Sequence, residues 1–159
     1  MSKMEPIDML NKRAIEAGIL GPILDALSVE FDKERVLAVA GETIKAMARQ
    51  QGAKLAQNTE RNTLCEFAAV LEQWKKGDAL VLEMLEQDEE KLSFNVKRCR
   101  YAELYHEMGV SHLGMILSCN RDYALAEGFN PAIVLERTQT IMEGAPHCDF
   151  RFHMKPSQR

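Results

Sequence analysis

Cys99 stands between Arg98 and Arg100, where an alternating apolar segment gives way to one with helical spacing. Helix amides and neighbouring cations stabilise thiolate over thiol, so a cysteine in that setting is expected to have a depressed pKa and to serve as nucleophile or metal ligand. Glu103 and His106 follow it by four and seven positions, near the same face of the helix that Cys99 precedes. They would supply a base and the group that orients it. A buried strand-end thiol above a solvated helix face is the plainer alternative for these three residues.

Cys119 and Asp122 fall three apart, a separation that brings side chains together on a helix and suits many purposes. Arg137, Thr138 and Thr140 lie in the polar middle of the strand-like segment Leu135 to Ile141, where an ordinary core strand would alternate polar with apolar residues. If one face of that strand lines a polar cavity, Arg137 is placed to grip a substrate carboxylate bidentately, with the two threonines as further substrate contacts. An edge strand with solvated polar residues explains the same pattern. Cys148 alternates with Phe150, Phe152 and Met154, which by period makes it a core cysteine, while Asp149, Arg151 and His153 share the other face. His147 points away from Cys148 in a strand, which argues against an adjacent Cys and His dyad.

These residues need elements to hold them. Ile7 to Ala17 reads as a short helix, interrupted by Gly21 and Pro22 before a second apolar turn, Ile23 to Leu27, and this end is read as a packing arm. Val36, Ala40, Ile44, Met47 and Leu55 recur at helical spacing within Val29 to Gln57, with Ser28 as cap. Another helix spans Asn62 to Lys76 and stops at Gly77; Cys65 and Glu66 sit on it without partners in sequence. Leu92, Phe94 and Val96 then alternate with polar residues as a half-buried strand, preceded by a strand over Ala79 to Glu86 and a polar connection, Asp88 to Lys91. Helices follow at Tyr101 to Met108, closed by Gly109, and from Ser111 into Ala126, closed by Gly128. Two more strands, Ile133 to Met142 and Cys148 to Met154, flank a loop at Glu143 to Pro146. The expectation is an α+β fold: a helical half, residues 1–77, on an antiparallel sheet of about four strands in two hairpins, with two helices between the hairpins.

A chain of 159 residues fits one domain, 1–159, able to bury roughly 70% of the surface its unfolded form exposes. With 46% hydrophobic and 28% charged residues, only the tail Lys155 to Arg159 is expected to be disordered. A formal charge of −4 and scattered basic residues argue against nucleic acid as a partner. No apolar run approaches the roughly 18 residues of a membrane span, and the start shows no export signal, so a cytoplasmic location is expected, with a small molecule as ligand and a homo-oligomer allowed. The four cysteines, Cys65, Cys99, Cys119 and Cys148, are then expected as free thiols. No CxxC pair is present, so the spacing gives little support for zinc, and no cofactor is expected. A cluster of Cys99, Cys119, Cys148 and His106 assembled by the fold is left open by spacing.

Four segments in order, Arg98-Cys99-Arg100-Tyr101-Ala102-Glu103, Cys119-Asn120-Arg121-Asp122-Tyr123-Ala124-Leu125, Arg137-Thr138-Gln139-Thr140-Ile141-Met142-Glu143-Gly144 and His147-Cys148-Asp149-Phe150-Arg151-Phe152, resemble the L-2-amino-thiazoline-4-carboxylic acid hydrolase family. The resemblance covers roughly Val96 to His153; the helical first half agrees in character only. It implies hydrolytic opening of a cyclic isothiourea between the amidine carbon and sulfur, giving an N-carbamoyl cysteine, and a site that includes Cys99, Cys119, Asp122, Arg137 and Cys148. Two routes are consistent with it: attack by Cys99 thiolate with Asp122, Glu103 or His106 moving protons, or direct attack by water polarised between carboxylates. A binding or sensor domain that does not turn its ligand over, and a metal-holding or thiol-sensing protein, use the same residues.

Overall fold

The alternation over Leu92 to Val96 becomes one of the two inner strands of an antiparallel sheet. The structure, a computed structural model, describes residues 6–156. Three helices, α1 (Met9–Glu30), α2 (Lys33–Ala56) and α3 (Leu64–Lys75), precede a hairpin of β1 (Leu80–Gln87) and β2 (Lys91–Cys99). Helix α4 (Arg100–Glu107), an irregular stretch through residues 111–119 and α5 (Arg121–Phe129) come next, then β3 (Ile133–Glu136) and β4 (Cys148–Met154). The sheet order is β1-β2-β4-β3, and every pairing is antiparallel. The α+β class and the helical half packed on a four-stranded sheet are therefore as expected.

Leu92, Phe94 and Val96 of β2 and Cys148, Phe150 and Phe152 of β4 point to one side, where α3 and α5 cover them. Phe94 stacks on Phe150 at 4.9 Å, and Phe67 of α3 bridges Phe129 of α5 and Phe152 at 5.2 and 5.3 Å. A second apolar cluster joins α1, α2 and α4 through Ala17, Leu24, Ile44, Tyr105 and Val110. The outer face of α1 carries exposed Ile15, Ile19, Ile23 and Leu27. No described helix is long and apolar enough to cross a membrane.

Several boundaries differ from the sequence reading. Gly21 and Pro22 do not break the first helix; α1 runs through both. The glycine answers to packing, since a Cβ there would lie 2.9 Å from Val110 Cγ1. The cap of α2 is Asp32, whose carboxylate accepts from Arg35 N, and not Ser28. Glu66, without a partner in sequence, completes a capping box with Thr63 at the start of α3. Gly128 does not close a helix but lies within α5, and the single helix expected from Ser111 is a 3₁₀ turn, a π turn over Met115–Cys119 and then α5. The strand expected over Ile133 to Met142 ends at Glu136. Beyond it the Asp149 carboxylate accepts from the Thr138 and Gln139 amides, which turns the polar run away from the sheet. Lys155, expected within a disordered tail, is instead bound to the sheet edge through Ala132 O at 2.8 Å; the remainder of that tail from residue 157 lies outside the described residues.

Candidate functional site

Cys99 ends β2, Cys119 ends the π turn and Cys148 begins β4, and the three sulfur-bearing side chains line one cavity of about 80 Å³. Its apolar wall includes Trp74, Leu80, Val96, Leu125 and Phe150. Its polar wall includes Asp122 and Arg137, with Arg121 from α5, Arg13 from α1, Gln51 and Ser118. The irregular stretch before α5 matters here, because two of its carbonyls take arginine donors: Leu117 O from Arg121 Nε at 2.7 Å and Cys119 O from Arg137 Nη2 at 3.1 Å.

Asp122 and Arg137 form a buried ion pair, Nη1 to Oδ2 at 2.6 Å, with the arginine side chain only 2% exposed. Tyr123 and Phe150 lie against the guanidinium at 5.0 and 4.9 Å. Burial holds the Asp122 carboxyl above its ordinary range, and the charge and hydrogen bond of Arg137 offset only part of that. Both Nη groups of Arg137, placed by the sequence reading on a substrate carboxylate, are thus engaged within the protein.

The chain matches the L-2-amino-thiazoline-4-carboxylic acid hydrolase family over residues 12–152. It belongs to this family. Among curated proteins none matches the chain. Several solved structures share the fold, these two among them. One is a trafficking protein particle complex subunit 3 from Naegleria fowleri, covalently bound to palmitic acid, at 10% identity and TM-score 0.54, covering 93% of this chain and 98% of that one. The other is the phenol-responsive sensory domain of the transcription activator PoxR with phenol, at 12% identity and TM-score 0.56, covering 89% of this chain and 74% of that one. At these identities the likeness is one of fold alone.

For this member of the hydrolase family, Cys99 is not the depressed thiol expected from its neighbours. Its thiol is pushed up from an ordinary 9.0 to about 11, because burial outweighs the Ala102 amide that points at the sulfur from 3.4 Å. The flanking arginines do not help it: Arg98 is forked onto Glu103 at 2.7 and 3.0 Å, and Arg100 donates to Gly77 O at 2.7 Å. Burial raises Cys119 and Cys148 as well, although the Ile141 amide donates to Cys148 Sγ at 3.2 Å. All three cavity cysteines are therefore thiols at neutral pH.

Glu103 and His106 are exposed on α4 and are not among the cavity-lining residues. Thr138 is bonded to Asp149, and buried Thr140 to Glu143 and Met115, so neither threonine reaches the cavity wall. Among the described residues no group of three or more His, Cys, Asp or Glu side chains is gathered as for a metal ion. The sequence reading missed Arg13 and Arg121. Arg13 carried a signal, for it sits at helical spacing between Met9 and Ala17, on the buried face of α1 where a charge is out of place.

Labelling kinetics check the thiol assignment. Cys65 is exposed and should react with iodoacetamide at pH 8 at least tenfold faster than Cys99, which at about 11 holds on the order of a hundredfold less thiolate than a thiol at 9.0. Cys99 also contributes to alkaline unfolding with a defined sign. Its folded value is raised, so its contribution is complete below pH 9.0 and is lost as pH rises through about 11. Labelling of Cys99 as fast as Cys65 at pH 8 would restore the thiolate.

Proposed function

We propose that this chain hydrolyses a small cyclic isothiourea carboxylate, with Asp122 as the proton-transfer group and water as the nucleophile. The observation that carries this reading is Asp122 itself: a carboxyl raised by burial, fixed by Arg137, on the wall of a cavity. A raised carboxyl is better matched to giving and taking protons near neutrality than an exposed one. Family membership supports a hydrolase. The cavity supports a small substrate, since a water position needs roughly 10–15 Å³, so about 80 Å³ has room for about half a dozen water-sized groups.

In this mechanism water oxygen bonds to the amidine carbon while Asp122 takes a proton from the water and passes it to the ring nitrogen. The adduct's hydroxyl proton then moves through Asp122 to sulfur as the carbon–sulfur bond breaks. The product is an N-carbamoyl amino acid bearing a free thiol, and the two protons of water end on nitrogen and sulfur. The neutral cysteines shape the cavity and do not attack.

The test is release of free thiol from L-2-amino-thiazoline-4-carboxylate by catalytic amounts of protein. Cys99→Ser is expected to keep turnover within about tenfold of the unaltered chain, whereas a covalent route through Cys99 predicts a loss on the order of a thousandfold or more. No thiol release from the unaltered chain would sink the hydrolase reading. A second reading, a sensor of small molecules, is favoured by the likeness to the PoxR domain, whose structure holds phenol. It predicts saturable binding of the same compound without thiol release.

A further inference from the structure

Three guanidinium groups line the cavity, from Arg13, Arg121 and Arg137, and their carboxylate partners do not balance them. Arg137 is matched by Asp122. Arg13 and Arg121 share one carboxylate, and a single oxygen of it: Glu16 Oε2 accepts from Arg13 Nη1 at 2.7 Å and from Arg121 Nη2 at 2.9 Å. Both arginines are nearly buried, at 7% and 9% exposed. Among the described residues, Arg13 Nε and Nη2 and Arg121 Nη1 make no hydrogen bond. One positive charge is therefore left over in a partly apolar cavity, on groups that cannot lose a proton to relieve it. The strain registers on Arg121, which burial and the charge of Arg13 push below its ordinary value. The Tyr105 hydroxyl, buried without a hydrogen-bond partner, lies within reach of both charges.

From this imbalance we infer that Arg13 and Arg121 form the anion subsite of the cavity and hold the carboxylate of a small planar or near-planar heterocyclic acid. The inference rests on the hydrolase reading for what the rest of the ligand is, but its own content is the carboxylate and the two arginines that take it. Free N–H donors on both guanidiniums suit a carboxylate, and a bound anion cancels the surplus charge. The arrangement also orients the substrate. With its carboxylate at Arg13 and Arg121, the amidine end is left for Asp122, which lines the same cavity. That is the end at which water must attack. It further explains why a charged residue stands on the inner face of α1, where packing alone calls for an apolar one.

The experiment measures binding of thiazole-4-carboxylate and of thiazole-4-carboxamide, a neutral near-isostere, to the full chain by calorimetry, with melting temperatures taken alongside. The unaltered chain should bind the acid at least about tenfold more tightly than the amide, since a charge-assisted hydrogen bond is about twice as strong as a neutral one. Arg13→Gln should remove most of that preference. Glu16→Gln works in the opposite direction: it alters a partly exposed carboxylate, leaves both arginines unneutralised and should tighten the acid severalfold while leaving the amide unchanged. That second variant decides the matter even where Arg13→Gln does not fold. Equal binding of acid and amide, an acid preference that survives Arg13→Gln, or weaker acid binding in Glu16→Gln each overturns the subsite. Thiol release from L-2-amino-thiazoline-4-carboxylate by the unaltered chain is read in parallel. Turnover with no dependence on Arg13 would discard the subsite and keep the hydrolase, whereas Arg13-dependent acid binding without thiol release would do the reverse.

Discussion

Asp122→Asn is expected to lower turnover by at least about a hundredfold and to cost about 3–5 kcal/mol of stability, and the two losses should come apart in a double variant. The stability loss has a definite origin. Arg137 is 2% exposed, and an amide in place of the carboxylate leaves its charge uncompensated and unable to titrate away. The pair as a unit adds little, because burial of the Asp122 carboxyl opposes what Arg137 returns, as its raised pKa shows. Asp122→Asn combined with Arg137→Met should therefore recover most of the lost stability, with the methionine filling the gap between Tyr123 and Phe150. Turnover should not recover, since the proton-transfer group is still missing. The pH profile gives a further sign: Asp122 acts as base only when ionised, so the acid limb of kcat/KM should lie above pH 3.8, the ordinary value from which burial raises it. If the double variant regained both stability and turnover, Asp122 would be a structural partner of Arg137 and nothing more.

The sheet was legible wherever a period of two met one buried face. Leu92, Phe94 and Val96 and the set Cys148, Phe150 and Phe152 are buried as their alternation implies, and they face one another across paired strands: Leu92 opposite Phe152, Phe94 opposite Phe150, Val96 opposite Cys148. Helix α3 was legible because its buried Leu64, Phe67 and Leu71 recur at the helical period of about 3.6 on one face. What could not be read locally was burial. Cys99 has the neighbours of a reactive cysteine, but its ionisation is governed by Val96, Trp74 and the other walls that the fold brings round it, and these lie at no fixed distance in sequence. Its flanking arginines found competing partners in Glu103 and Gly77, which no reading of the tripeptide could anticipate. Arg13 is the converse case, a signal present and passed over: the helix was classed by its apolar residues, and the single charge on its inner face was the informative one. The glycines were read as punctuation when several of them are contacts.

Gly128→Ala is expected to be among the most damaging single substitutions in the chain, and the reason lies where α2 crosses α5. A Cβ at Gly128 would lie 2.0 Å from Arg49 O, and a Cβ at Gly52 would lie 2.2 Å from Leu125 O and 2.7 Å from Phe129 N. These are backbone atoms of the facing helix, which no rotamer change can move aside. Each added methyl must instead force the helices apart by more than an ångström, and core overpacking that flexible neighbours absorb for about 1–3 kcal/mol should exceed that range here. The function should suffer with the fold, because α5 carries Arg121 and Asp122 and α2 carries Ala48 and Gln51, so the crossing sets the width of the cavity between them. Gly18→Ala is the control. It also lies inside a helix, but its Cβ would meet only Met108 Cε at 3.7 Å, an ordinary contact. There the gain in helix propensity, up to about 1 kcal/mol, should appear undiminished. Thermal and urea unfolding of the three variants check this: Gly18→Ala at or above the unaltered chain, Gly52→Ala and Gly128→Ala at least about 3 kcal/mol below it or failing to fold. A Gly128→Ala chain that melts with the unaltered one and retains turnover would mean that the two helices do not approach this closely, and the placement of Asp122 against the cavity would fall with that contact.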